Sequence, residues 1–379
     1  MKKNMAVTIF ILFVIVLNFS FILLTKTKTV EAKDLSKVSL GESVRITKNS
    51  LNIIVDPRLE LLSIVQFISD YDKKYNLMTD YDFKFKKEVK EHFSSFKNHE
   101  AVKLFNKLSD KGFTFDAPAT IMLYMDNNFQ LCQDIDVTDY LVSRISGKKN
   151  IDKFFRSLQK FCHETEFNNF YNEHKEYYQL LIENVLTKIG EKNYIEELEE
   201  YYGVKQKEYN IILVSLFHPG GFGPKIESEK AKYKIYSIQG PNGTNNNMPD
   251  FGSEASFRHL ARHEFSHSFV NPLADKYWSI AEQYSDLFTP IAESMKIQAY
   301  MNWKICLNEH IVRAVTTRLS FLDNEFSGRR MLAYEKSKGF TYIDKLLEAL
   351  KEYENNRDKY PTFESFYPNL IESFEYYKK

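Results

Sequence analysis

Cysteine is scarce in this chain. Cys132, Cys162 and Cys306 are the only three in 379 residues. Their spacing fits no cysteine-based zinc motif, and an odd number cannot all pair as disulfides. They are expected to be buried or half-buried thiols. Charge of one sign is also missing: 51 basic and 51 acidic residues leave a formal net charge of +0. Without a basic excess or a long basic run there is no phosphate-binding stripe, so nucleic acid is not an expected partner. No internal repeat and no low-complexity segment interrupts the chain. What is plentiful is aromatic: 24 Tyr and 31 Phe, read as core and groove material.

The N-terminus carries a targeting signal. Lys2 and Lys3 precede an apolar run from Met5 to Leu24, and a short polar stretch ends at Val30-Glu31-Ala32. A positive start, an apolar middle and a small residue at the end describe a secretory signal peptide cleaved after Ala32. The run of about 20 residues is also long enough to span a bilayer, so residues 5–24 could instead remain as a membrane anchor. Both readings place residues 33–379 outside the cytoplasm, secreted or held on the outer side of the cytoplasmic membrane. No cysteine follows the run closely, which argues against a lipid anchor.

The pattern beyond residue 32 predicts an α+β protein, predominantly helical. Residues 33–203 read as a mainly helical region packed on the catalytic part, and residues 204–379 as the metal-binding part. Leu51–Val55 is β-like and ends at Asp56-Pro57, where proline suits the first turn of a helix. Near Gly203 the character changes. Tyr209–Phe217 and Lys232–Ile238 read as strands, separated by a Gly- and Pro-rich loop at 218–224. Residues 240–252 read as another loop. A helix is then expected, with Ser253 as its cap and Pro272 as its stop. A further helical stretch is expected to run from Thr289-Pro290 to Gly328 without a break.

The second of these regions contains His263-Glu264-Phe265-Ser266-His267. Residues four apart share one helix face, so His263 and His267 can offer two imidazole nitrogens to one ion. With His263 set at zero, His267 falls near ~40° and Glu264 near ~100°. Phe257, Ala261, Phe265 and Phe269 fall between ~120° and ~240°, on the opposite side. The apolar stripe would pack in a core and the histidines would face a cleft. Glu264 beside them suits a carboxylate that takes a proton from water. The plainer alternative is a helix with two solvated histidines. His259 extends the track by one turn and reads better as a surface or supporting residue.

Zinc is the ion such a set suits, and it needs a third protein ligand and one open position. The metzincin pattern HExxHxxGxxH is absent, since Val270 and Leu273 stand at its glycine and third histidine. A carboxylate on a later helix is the other common solution. Glu282, Glu293 and Glu309 are candidates, with Asp275 also open. Glu309 is preferred: Leu307, Ile311, Val312 and Ala314 surround it, and Arg313 at i+4 could hold its carboxylate.

These residues resemble the zincin metallopeptidases of the gluzincin type, in which HExxH is completed by a Glu on a downstream helix. More narrowly, four segments are similar to a bacterial family of exported proteins described only as domain of unknown function 4932. They are Asp56–Leu62, Gly220–Pro224, His263–Pro272 and Glu309–Arg318. The gluzincin resemblance implies a zincin-like catalytic domain with a small sheet and an HExxH helix. It implies Zn2+ held by His263, His267 and Glu309, with Glu264 as general base while a zinc-activated water attacks a peptide carbonyl. A peptide or protein would be the substrate. The stretch 268–308 between the second histidine and Glu309 is longer than in the best-known members. The resemblance also implies an edge strand pairing with an extended peptide, for which Lys232–Ile238 or Tyr209–Phe217 could serve, with 218–224 as a rim. An oxyanion donor is implied too, with His310, Tyr300 and His218 as candidates. Two other readings stay open: a zincin-like surface protein that binds a partner without turnover, and a metal hydrolase acting on a non-peptide bond.

Overall fold

Asp56 shows how local chemistry starts the fold. Its side chain accepts from the Arg58 backbone N–H at 2.9 Å, and Pro57 occupies the position where a missing N–H costs nothing. Helix α1, Pro57–Phe67, therefore begins directly after strand β2, Leu51–Val55. In this computed structural model the described residues are 35–189, 193–229 and 232–378. The expected signal segment at 1–32 lies outside them. Among the described residues no helix is long and apolar enough to cross a membrane. Residues 40–379 form one compact unit; of the unit before it, Met1–Ser39, the described part includes a 3-10 turn at Leu35–Lys37.

The protein is mixed α+β and mostly helical. Its main sheet contains β1 (Val44–Lys48), β2, β3 (Glu208–Leu213), β4 (Gly220–Phe222), β5 (Lys225–Glu229) and β6 (Lys232–Gly240). The order runs β1, β2, β3, β6, and then β4 and β5 share the far edge of β6. β2, β3 and β6 are mutually parallel, while the outer strands are antiparallel to their neighbours. The central run Asn210–Leu213 is fully inside, as a parallel strand covered on both faces should be. The division drawn at residue 203 is crossed by this sheet, since β1 and β2 come from one side of it and the other strands from the other. Residues 240–252, expected as a loop, contain a hairpin of β7 (Gly243–Asn245) and β8 (Met248–Asp250).

Helices cover the sheet and build the rest. α2 is Lys175–Ile189 and α3 is Tyr194–Tyr202. The long α4 is Glu254–Lys276, and α5 is Trp303–Asp323. α6 (Glu325–Ser337), α7 (Ile343–Asn355) and α8 (Phe363–Glu372) follow. α4 lies on the sheet with its apolar stripe inward. Ala261 and Phe265 are wholly buried and Phe269 nearly so; the side chain of Phe257 lies outside the described residues. Phe265 meets Tyr209 of β3 edge-on at 5.4 Å, and Phe269 stacks on Tyr202 of α3 at 4.3 Å.

Three expectations need correcting. Pro272 does not stop α4, which continues to Lys276. Proline removes one backbone donor, but Leu273 and Ala274 beyond it are buried, and their packing holds the last turn. The stretch from Thr289 to Gly328 is not one helix. A 3-10 segment, Glu282–Ile291, passes into a short helix, Ala292–Ile297. The chain then breaks, with Ala299 left-handed at φ 68°, and Asn302 caps α5 by accepting from the Ile305 N–H. Finally, β3 and β6 are interior strands, so neither can pair with a peptide; the strand with a free far edge among the described residues is β4. It lies inside the Gly-rich 218–224 segment, whose composition hides a strand because the pairing is carried by backbone alone. The cysteines are as expected: all are free thiols, with Cys162 and Cys306 buried and Cys132 half-buried.

Candidate metal centre

α4 and α5 pack side by side, and their facing surfaces bring three ligand groups together. His263, His267 and Glu309 each offer one atom, and these atoms lie within 4.8 Å of one another. The two imidazole Nε2 atoms are 3.3 Å apart. His267 Nε2 is 3.3 Å from Glu309 Oε1, and His263 Nε2 is 3.7 Å from Glu309 Oε2. Bonds of ~2.0–2.2 Å around a tetrahedral ion place neighbouring ligand atoms about 3.3–3.5 Å apart. Two of the three separations match that edge, and the third needs only a small rotation of the carboxylate. No other such group of three occurs among the described residues.

The remaining carboxylate candidates lie elsewhere. Glu282 and Glu293 are exposed, and Asp275 is exposed and paired with Lys304 at 2.5 Å. His259 sits one turn before His263 with ring centres 6.4 Å apart, and burial pushes it down to about 4.

The surroundings orient the ligands. Asn271 Oδ1 is 3.3 Å from His267 Nδ1. An N–H at Nδ1 donates there, leaving Nε2 with its lone pair toward the cluster. Burial, helped by Arg313, holds His263 well below its ordinary value and therefore neutral. For His267 burial acts downward too, but Glu309 outweighs it and raises the group to about 9. Burial would raise Glu309; His267, Arg313 and His263 overcome it and keep the carboxylate ionised.

Arg313 has a donor for each of three acceptors. Its Nε lies 3.2 Å from Glu309 Oε2, one terminal nitrogen is 2.8 Å from Glu335 Oε2, and the other is 3.1 Å from the Tyr300 hydroxyl. Its guanidinium also sits 4.4 Å from the centre of the Phe340 ring. Of the oxyanion candidates, Tyr300 is thus the one tied to the cluster. His310 is fully buried, hydrogen-bonded through Nδ1 to the Cys306 carbonyl at 2.9 Å and packed on Phe340 and Tyr342. His218 stacks on Phe222, away from these contacts.

Glu264 lies next to the histidines, buried, with its carboxyl raised to about 7 chiefly by burial. The glycines of the 220–224 segment press on it. A Cβ at Gly223 would stand 2.5 Å from the Glu264 carbonyl oxygen and 2.8 Å from Oε2. A Cβ at Gly221 would stand 3.5 Å from Oε1. β4 therefore runs directly past this carboxylate.

A family model described as a domain of unknown function, DUF4932, matches residues 51–373. The chain belongs to the DUF4932 family. The match runs from β2 through α8, so the whole cluster of this DUF4932 chain lies inside it. No characterised protein matches the chain, and no solved structure does. In the DUF4932 chain three supporting residues escaped the sequence reading. Asn271 stands at i+4 from His267, the same spacing that singled out the histidines, and could have been found by it. Glu335 had no such signal. Arg262 had none either. It is 2% exposed and paired with Glu197 of α3 and with Asp323 of α5 at 2.7 Å, locking α4 between them.

Proposed function

We propose that this chain is an exported zinc-dependent hydrolase of the zincin type, most simply a metallopeptidase. One observation carries the reading: His263 Nε2, His267 Nε2 and a Glu309 oxygen converge at separations suited to a tetrahedral ion, with Glu264 beside them. Two nitrogens and one carboxylate oxygen suit zinc, and three protein ligands leave a position open for chemistry. When bound, zinc would supply a Lewis acid that activates water and polarises a carbonyl.

The chain's own residues would do the rest. Glu264, near neutrality at about 7, accepts a proton at its carboxylate and returns it to the leaving amine. Asn271 holds the His267 tautomer. The Tyr300 hydroxyl accepts from Arg313, so its own proton is free to donate to charge developing on the substrate oxygen. β4 offers an unpaired edge beside Glu264, along which an extended peptide can add as a further strand. That edge is what favours a peptide over other bonds.

The test is metal analysis of the purified protein together with cleavage of a peptide library. One zinc per chain and cleavage lost in Glu264→Gln are expected. Absence of bound zinc would sink the metal reading, and turnover unchanged in Glu264→Gln would sink the mechanism. The rival reading, a partner-binding protein without turnover, expects a displaced third ligand, and the placement of Glu309 speaks against it.

A further inference from the structure

We infer that Glu335 is a positioning residue for the metal ligand Glu309, acting through Arg313, so that α6, which contributes no ligand, sets how tightly the site holds its ion. The inference rests on the metal reading above.

Arg313 and Glu309 are one turn apart on α5, and Arg313 Nε contacts Oε2 of the carboxylate at 3.2 Å. That contact occupies Oε2 and leaves Oε1 as the oxygen 3.3 Å from His267. The carboxylate is thus divided, one oxygen braced and one presented. An arginine side chain alone has many rotamers, and a single contact would not fix it. Here three more groups fix it. Glu335 Oε2 takes one terminal nitrogen at 2.8 Å, Tyr300 takes the other at 3.1 Å, and the Phe340 ring lies under the plane at 4.4 Å.

Two of those three come from the C-terminal end of α6. Glu335 sits in its last turn, and Phe340 follows after Gly339 turns the chain at φ +90°. The Phe340 N–H returns to the Glu335 carbonyl at 3.2 Å, so carboxylate and ring are held as one unit. The placement of α6 is itself tight. Gly328 packs against Phe321 of α5 so closely that a Cβ would stand 2.1 Å from its ring. Glu335 is 0% exposed, and its Oε1 has no hydrogen-bond partner. A buried carboxylate with one oxygen unsatisfied is costly, and a charged arginine opposite is what keeps it. Ligand-supporting contacts of this kind typically change metal affinity by 10–100-fold when removed.

The test uses the full chain in three variants, Glu335→Gln, Glu335→Leu and Arg313→Lys. Zinc Kd is measured by competition with a chelator, the visible spectrum is recorded with cobalt(II) in place of zinc, and the metal-free melting temperature is taken alongside. Lysine keeps the charge but cannot bridge three acceptors at fixed angles. Glu335→Leu and Arg313→Lys should weaken zinc binding by about 10–100-fold and alter the cobalt spectrum. Glu335→Gln, nearly the same shape, should weaken it at least threefold and decides the matter if the other two do not fold. Variants that lose melting temperature yet keep the wild-type Kd and spectrum would overturn the inference, leaving Glu335 a purely structural residue. A wild-type chain that binds no zinc would overturn the metal reading itself, and the brace with it.

Discussion

The Nδ1 of His267 faces the Oδ1 of Asn271 one turn further along α4, 3.3 Å away. This contact decides which imidazole nitrogen is free for an ion. Replacing Asn271 by Ala leaves the tautomer unspecified. Zinc Kd should rise on the order of 10-fold, with the melting temperature of the metal-free protein little changed. An unchanged Kd would remove Asn271 from the site.

Gly223 gives a second prediction. A methyl group there would stand 2.8 Å from Glu264 Oε2, so Gly223→Ala must displace the carboxylate or the strand. Turnover should fall on the order of 10²-fold, because small misplacements of a reacting group cost that much. Zinc binding should stay near wild type, since neither histidine is touched. Equal losses of both would show that the glycine serves folding instead.

The backbone of the fold was legible because hydrophobic period survives tertiary context. β2, β6 and the start of α1 all lie where the alternation or the Asp-Pro signal places them. What escaped was decided by packing. Pro272 reads as a stop, yet burial of Leu273 and Ala274 carries α4 through it. The break at 298–302 contains no Gly or Pro; Ala299 simply adopts the left-handed region there. At the site, the i, i+4 spacing of His263 and His267 was readable. So was Glu309, as a carboxylate in an apolar helix. Glu335 was not, because it reaches Arg313 from another helix and no local pattern records a contact between helices.

Arg262 predicts a stability effect separate from chemistry. It is buried between Glu197 and Asp323, and Arg262→Met would leave both carboxylates without it. Breaking such a pair costs about 3–5 kcal/mol. A urea titration should show that loss. A change below ~1 kcal/mol would mean that the triad contributes little net stability.

Stability should also depend on pH through Glu60, far in sequence from the proposed site. This α1 side chain is fully buried, with Oε1 unpartnered, and burial raises it to about 8. Unfolded, it titrates near its ordinary value of 4.5. Between these pH values the folded chain holds a proton that the unfolded chain has released. The Glu60 contribution is therefore fully present below pH 4.5 and is lost as pH rises through 8. Its span is on the order of 3–5 kcal/mol. Glu60→Gln should flatten that fall when unfolding is followed from pH 5 to pH 9; an identical slope in the variant would exclude Glu60 as its source.

The central claim is a zinc centre built from α4 and α5 and served by Glu264. The most direct measurement pairs zinc stoichiometry with peptide cleavage in the wild type and in Glu264→Gln. The expected result is one zinc per chain in both proteins, with cleavage reduced about 10²–10⁴-fold in the variant. A wild-type protein without zinc, or a variant that cleaves as fast as the wild type, would contradict it.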